Sequence, residues 1–139
     1  MTLLSAASAI QLPVRLRGIQ LGRPVDLLLD TDRWQAVGFV VRCGDDSTRF
    51  LPYAACQPSH EEIAVASALM LLEDVAFYEK RGVSFRSLLG GDVVGGGVLR
   101  DVVLGAAGIV EELDVEHDGG RERIPAAGAI VIPTRASAA

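Results

Sequence analysis

Asp26 and Asp30 are the residues of this chain that come nearest to a reacting pair. They lie on one side of one expected strand, and two neighbouring carboxylates can do general acid–base work or hold a cation. Their surroundings favour a structural role. Asp30 opens a turn, Asp26 is placed to accept backbone N–H bonds, and no His or Cys lies close in sequence to complete a metal set. His60 and His117 fall in separate expected loops, beside Glu61 and Glu62 in one case and Asp118 in the other, and read as solvated loop residues. No serine is framed by a nucleophile elbow. The glycine-rich residues 90–97 lack both the Gly-Lys-Ser/Thr ending of a phosphate loop and the spacing of a dinucleotide fingerprint, so they read as a linker. Cys43 and Cys56 are expected to be reduced structural thiols, a disulfide between them being the alternative. The sequence therefore names no catalytic, cofactor-binding or metal residue, and no small-molecule substrate.

The elements that must hold these residues occur twice. Asp26, Phe39 and Pro52 are followed about 75 residues later by Asp101, Leu113 and Pro125 in the same order, the marks of an internal repeat. In the first copy, residues 12–17 and 25–29 alternate as strands with a turn over 18–23 between them, residues 30–33 carry turn chemistry, and residues 34–42 and 49–54 are β-rich. Residues 63–66 and 68–72 are expected as two short strands, the opening of a helix at Ala68-Leu69-Met70-Leu71-Leu72 being the alternative for the second. Asp74 is placed to cap a helix over 75–81, and Ser84 a second helical turn over 85–89. The second copy reads as strands over 98–104, 109–116 and 121–125. Asp118-Gly119 sits between the last two as a hairpin signal. Residues 129–132 form a last strand. The start of the chain, residues 1–11, is frayed or adds an edge strand.

Composition bounds the rest. The chain has 139 residues, is 50% hydrophobic and only 5% aromatic, and its aromatic side chains all lie between Trp34 and Phe85. The second copy thus has a light core that must lean on the first, since modules of about 60–70 residues are marginal alone. A net charge of −5 with 13 basic against 18 acidic side chains gives no basic footprint for nucleic acid. Lys80 is the only lysine, a bias of GC-rich bacterial genomes. No basic leader and no apolar run of about 18–20 residues is visible, so the expectation is a cytoplasmic protein without a transmembrane segment.

Residues 22–30 (Gly22 through the strand bearing Asp26 to Asp30), the Asp32-Arg33 turn, the strand 36–41, the ending Phe50-Leu51-Pro52-Tyr53 and the strand 62–65 together resemble the PRC-barrel family. This small β-barrel is named for the photosynthetic reaction-centre H subunit, and its fold also forms the C-terminal domain of a ribosome-maturation factor. Residues 98–132 resemble a second, eroded copy. The reading is an all-β protein with short helices, built as two tandem small PRC-barrel-like modules. The first spans 12–72, short helices and a Gly-rich joint span 73–97, and the second, shorter repeat spans 98–133.

The resemblance implies a non-catalytic interaction scaffold or adaptor, binding another protein or itself as a homodimer. The alternatives are an accessory factor of ribosome assembly or RNA processing that binds a ribosomal protein, and a peripheral component of a photosynthetic or other membrane complex. Arg33, Trp34, Phe77 and Tyr78 are the candidate partner contacts, because Trp, Tyr and Arg dominate interface hot spots. For Trp34 the competing role is to cap the barrel core, and for Phe77 and Tyr78 to hold a helix on it.

Overall fold

The computed structural model describes residues 3–134. The chain opens with β1 (Leu4–Ser5) and the single-turn α1 (Ala6–Ala9). A meander follows of β2 (Val14–Leu16), β3 (Ile19–Asp30), β4 (Gln35–Cys43) and β5 (Thr48–Pro52). The hairpin β6 (Cys56–Pro58) and β7 (Ile63–Val65) then returns to pair β7 in parallel with β2. After α2 (Val75–Glu79), β8 (Val83–Ser84) and α3 (Phe85–Leu88) come β9 (Asp92–Val93), β10 (Val98–Leu104), β11 (Val110–His117), β12 (Gly120–Pro125) and β13 (Val131–Ile132). Two curled sheets result. The first runs β5-β4-β3-β2-β7-β6 with β8 added to β3, the second β12-β11-β10-β9-β13 with β1 added to β10. The fold is all-β with short helices. No helix among the described residues is long and apolar enough to cross a membrane.

Local chemistry explains most of the turns. Arg17-Gly18 and Asp118-Gly119 join their strands with both residues at positive φ (50° and 83°, 51° and 78°), the backbone that suits the twist of a two-residue hairpin. Asp30 Oδ1 accepts the N–H groups of Asp32 and Arg33 at 3.0 and 3.1 Å and closes the β3–β4 turn. Asp74 caps α2 through the N–H of Phe77, and Ser84 caps α3 through that of Ser87.

Strand β3 departs from simple alternation. Its register against β4 shifts between Pro24 and Asp26 and again between Leu28 and Leu29. Pro24 has no N–H to give the ladder, and bulges of this kind re-aim the side chains around them. Leu27, Leu28 and Leu29 are consequently all buried, whereas Val25, expected on the face of Leu27 and Leu29, is 38% exposed. Val102 and Leu104 of β10 are buried, as Leu27 and Leu29 are in β3.

Three segments differ from the sequence expectation. Residues 18–23, expected as a turn, are mostly β3, with the reversal confined to Arg17-Gly18. Ala68–Met70 is a 3-10 turn capped by Ser67 rather than a strand. The glycine-rich residues 90–97 are no loose joint. Asp92–Val93 pairs with β10 on one side and β13 on the other, and a Cβ on Gly91 would collide with the Ile132 carbonyl. Glycine is required there for close approach of two backbones.

One apolar core runs through both sheets, joining Phe39, Leu51, Tyr53 and Phe85 to Leu99, Val102, Leu113 and Val115. A second cluster of Leu28, Val40 and Phe50 lies on the first sheet under Val75 and Tyr78 of α2. Aligning the ladders at Asp26 and Asp101 places Asp114 and Arg123 in the second sheet where Val40 and Phe50 stand in the first. That face of the second sheet is charged, with Arg121 paired to Asp114 at 2.7 Å, Arg100 to Glu116 at 2.7 Å and Arg123 to Glu112 at 3.9 Å.

Strands β4 and β5 meet at Gly38, where a Cβ would strike the Leu51 carbonyl oxygen and lie 2.5 Å from Phe50 Cζ. Gly38→Ala is expected to lower the unfolding free energy by about 1–3 kcal/mol, because neither neighbour is free to move away. Gly44→Ala, with nothing within 4 Å of its Cβ, should change it by less than about 0.5 kcal/mol. Urea unfolding, read as a shift in midpoint at constant slope, measures both.

Candidate functional site

The carboxylates that opened the sequence argument serve as anchors. Asp26 Oδ1 accepts the N–H of Leu27 at 2.8 Å and that of Arg86 at 3.2 Å, while Oδ2 accepts the Ser84 hydroxyl. Ser84 Oγ in turn accepts the N–H of Ser87 at 3.2 Å. Asp101 repeats this bond for bond. Its Oδ1 accepts Val102 N–H at 2.8 Å and Ala7 N–H at 3.1 Å, its Oδ2 accepts the Ser5 hydroxyl, and Ser5 Oγ accepts Ser8 N–H at 3.3 Å. Hydrogen bonds to an ionised carboxylate are about twice as strong as neutral ones. Asp30 is engaged in its own turn, so Asp26 and Asp30 share no partner and form no acid–base pair. Among the described residues no group of three or more His, Cys, Asp or Glu side chains is gathered that could hold a metal ion. His60 is exposed in its loop, and His117, at the end of β11, contacts Glu122 at 3.0 Å.

The four candidate contact residues separate. Trp34 sits at φ 52° and only 3% exposed, its indole N–H donating to the Ala129 carbonyl at 3.0 Å. Its ring is spent inside, tying the first copy to the chain beyond β12, so it presents no surface to a partner. Arg33 is exposed beside it in the turn. Tyr78 is half-buried, stacked on Phe50 with ring centres 4.2 Å apart and planes 8° off parallel. Phe77 points outward at 45% exposure, edge-on to Tyr78 at 5.0 Å, with the Arg81 guanidinium 4.2 Å above its ring. Six of the seven aromatic rings are wholly or partly buried; Phe77 alone stays out. Arg81 joins the pair through its spacing of four from Phe77, the helical spacing that brings side chains together.

A cleft of about 560 Å³ opens where the two copies meet, lined by Gln35, Tyr53, Cys56, Gln57, Leu104 and Ala107 among others. Gln35 reaches across it to the Ala107 carbonyl at 3.4 Å. Cys43 and Cys56 are both free thiols. Burial pushes the Cys56 thiol up to about 12, and burial followed by the nearby Cys56 pushes the Tyr53 hydroxyl up to about 12 as well. The cleft thus holds no thiolate at neutral pH, and the thiolate is the reactive form of cysteine.

The repeat pairs Asp101 with Asp26 and the sequence places the Ser84 cap, but Ser5 as the counterpart of Ser84 escapes that reading. The signal was present: an apolar residue, a serine, two residues and a second serine occur at Leu4-Ser5-Ala6-Ala7-Ser8 and again at Val83-Ser84-Phe85-Arg86-Ser87. No protein-family model and no curated protein matches the chain.

The raised acidities fix the sign of a pH effect. Both groups are held neutral in the native state, so their contribution to stability is whole below the unfolded values of 9.0 and 10.0 and is lost as pH rises toward about 12. The urea midpoint should therefore decline from about pH 9 upward, and Tyr53→Phe should flatten the upper part of that decline. Below pH 8, Cys56 should react with a thiol reagent far more slowly than free cysteine does.

Proposed function

We propose that this chain is a non-catalytic interaction scaffold of PRC-barrel type, an adaptor that docks another protein through the outer face of α2. The observation that carries the reading is the Phe77–Arg81 pair, an exposed aromatic ring under a guanidinium on a helix anchored from below by the Tyr78–Phe50 stack. Aromatic and arginine side chains on a rigid support are the usual centres of binding energy in protein interfaces. The resemblance of residues 22–65 to PRC barrels, many of which serve as assembly modules, supports the same reading. So does the use of the carboxylates: Asp26, Asp30 and Asp101 hold turns and caps rather than facing open space.

Charge argues for a protein partner over a nucleic acid. Arginines of the second sheet are paired with acids at Asp114, Glu116 and Glu112. Phosphate recognition needs several free cations in one patch. The mutual cover that two marginal modules require is supplied by the shared core, which leaves the α2 face for a different chain.

Phe77→Ala and Arg81→Ala should each weaken capture of the partner at least about tenfold, the cost of a lost hot spot. Neither should lower the thermal midpoint appreciably, since both side chains are exposed. Pull-down from the source organism with wild type and both variants in parallel, followed by titration of the captured protein, reads the effect. Equal capture by all three proteins would remove the α2 face from consideration.

A further inference from the structure

We infer that each barrel carries a recognition groove for the leader segment of a second unit of its own kind, and that this chain is the covalently closed form of an exchange dimer. Here a leader is the strand–serine–helix segment that precedes a repeat: β1 with α1 for the first copy, β8 with α3 for the second. Neither leader docks on the copy that follows it. β1 pairs with β10, Leu4 opposite Leu104 and Ser5 opposite Val103, while β8 pairs with β3, Val83 opposite Leu29 and Ser84 opposite Leu28. The two registers are the same in repeat terms, since Leu28 and Leu29 correspond to Val103 and Leu104.

The polar contacts cross over in the same way. In each groove one aspartate takes the N–H of the residue after it, the leader serine's hydroxyl, and the backbone N–H two residues beyond that serine. Each leader serine also caps its own helix. Four matching bonds at two sites, each made to the other copy, form an isologous arrangement in which what one unit gives it also receives. Such a pair closes on itself, and exchange of an identical element is a low-cost route to a dimer. The ligand each groove selects is an apolar–Ser–x–x–Ser segment at a strand-to-helix junction. This inference concerns how the copies recognise each other and does not depend on the α2 reading.

Hydrogen exchange on the full chain tests the crossing. Asp101→Ala should speed amide exchange in residues 4–9 about tenfold or more while leaving 83–88 within about twofold, and Asp26→Ala should do the reverse, from the loss of charge-assisted bonds. Loosening that falls on the leader of the same copy, or on neither leader, would overturn the proposal.

Disulfide staples give a second reading without touching either aspartate. In a Cys43→Ser, Cys56→Ser background, Leu4→Cys with Leu104→Cys, and separately Val83→Cys with Leu29→Cys, place thiols at antiparallel partner positions within disulfide reach and keep both leader serines. Both staples should form within one chain, giving a monomer on a non-reducing gel. A cross-linked dimer, or no cross-link under oxidising conditions, would show that the leaders do not close the pair inside the chain.

Discussion

A sheet with one apolar face must bury it against something, and neither sheet of this protein has enough of its own to do so. The second copy contains no aromatic residue, and modules of this size expose a large part of their surface when alone. The solution is a single core. Phe39, Leu51, Tyr53 and Phe85 from the aromatic-rich part of the chain pack with Leu99, Val102, Leu113 and Val115 from the second sheet, and Trp34 is fastened across the junction by its bond to Ala129. Other features follow from that sharing: the leaders sit where they close the core's ends, with Ala6 and Ala9 on one side and Phe85 and Leu88 on the other fully buried. The cleft at Cys56 and Tyr53 is where the two copies part again.

Once the inner faces are committed to each other, the outer faces are free to diverge. The first sheet keeps an apolar exterior at Leu28, Val40 and Phe50 and covers it with α2, which leaves Phe77 and Arg81 outside. The second sheet places Asp114 and Arg123 at the corresponding positions and needs no cover. Pairs as exposed as Arg123–Glu112 are worth little individually to stability. They have another consequence, because a charged edge strand such as β12 resists pairing with a further strand. The outer side of the first sheet therefore ends in an exposed ring and guanidinium, and that of the second in ion pairs.

The carboxylates show how residue types that suggest chemistry are absorbed by architecture. Asp26 and Asp101 each accept two backbone N–H groups and one hydroxyl, and Asp30 accepts two N–H groups of its own turn. An oxygen so occupied is poorly placed to take a proton from a substrate. The leader serines are likewise shared between a carboxylate and a helix cap.

What the sequence by itself determined was local. The Asp118-Gly119 hairpin, the Asp30 turn and the Asp74 and Ser84 caps depend on residues within a few positions of one another, and residue type alone specifies them. Only the tertiary structure decided which leader meets which sheet. Ser5 is 96 residues from Asp101 and Ser84 is 58 from Asp26. Both leaders carry the same serine spacing and both grooves the same aspartate, so composition and spacing are satisfied equally by docking onto either copy. The same holds for Trp34, whose type suits a surface anchor or a core, and for residues 90–97, whose glycines read as a joint until β13 is brought against Gly91. In each case the deciding contact lies on a distant segment, and its position is set by the closure of the shared core rather than by neighbours in the chain.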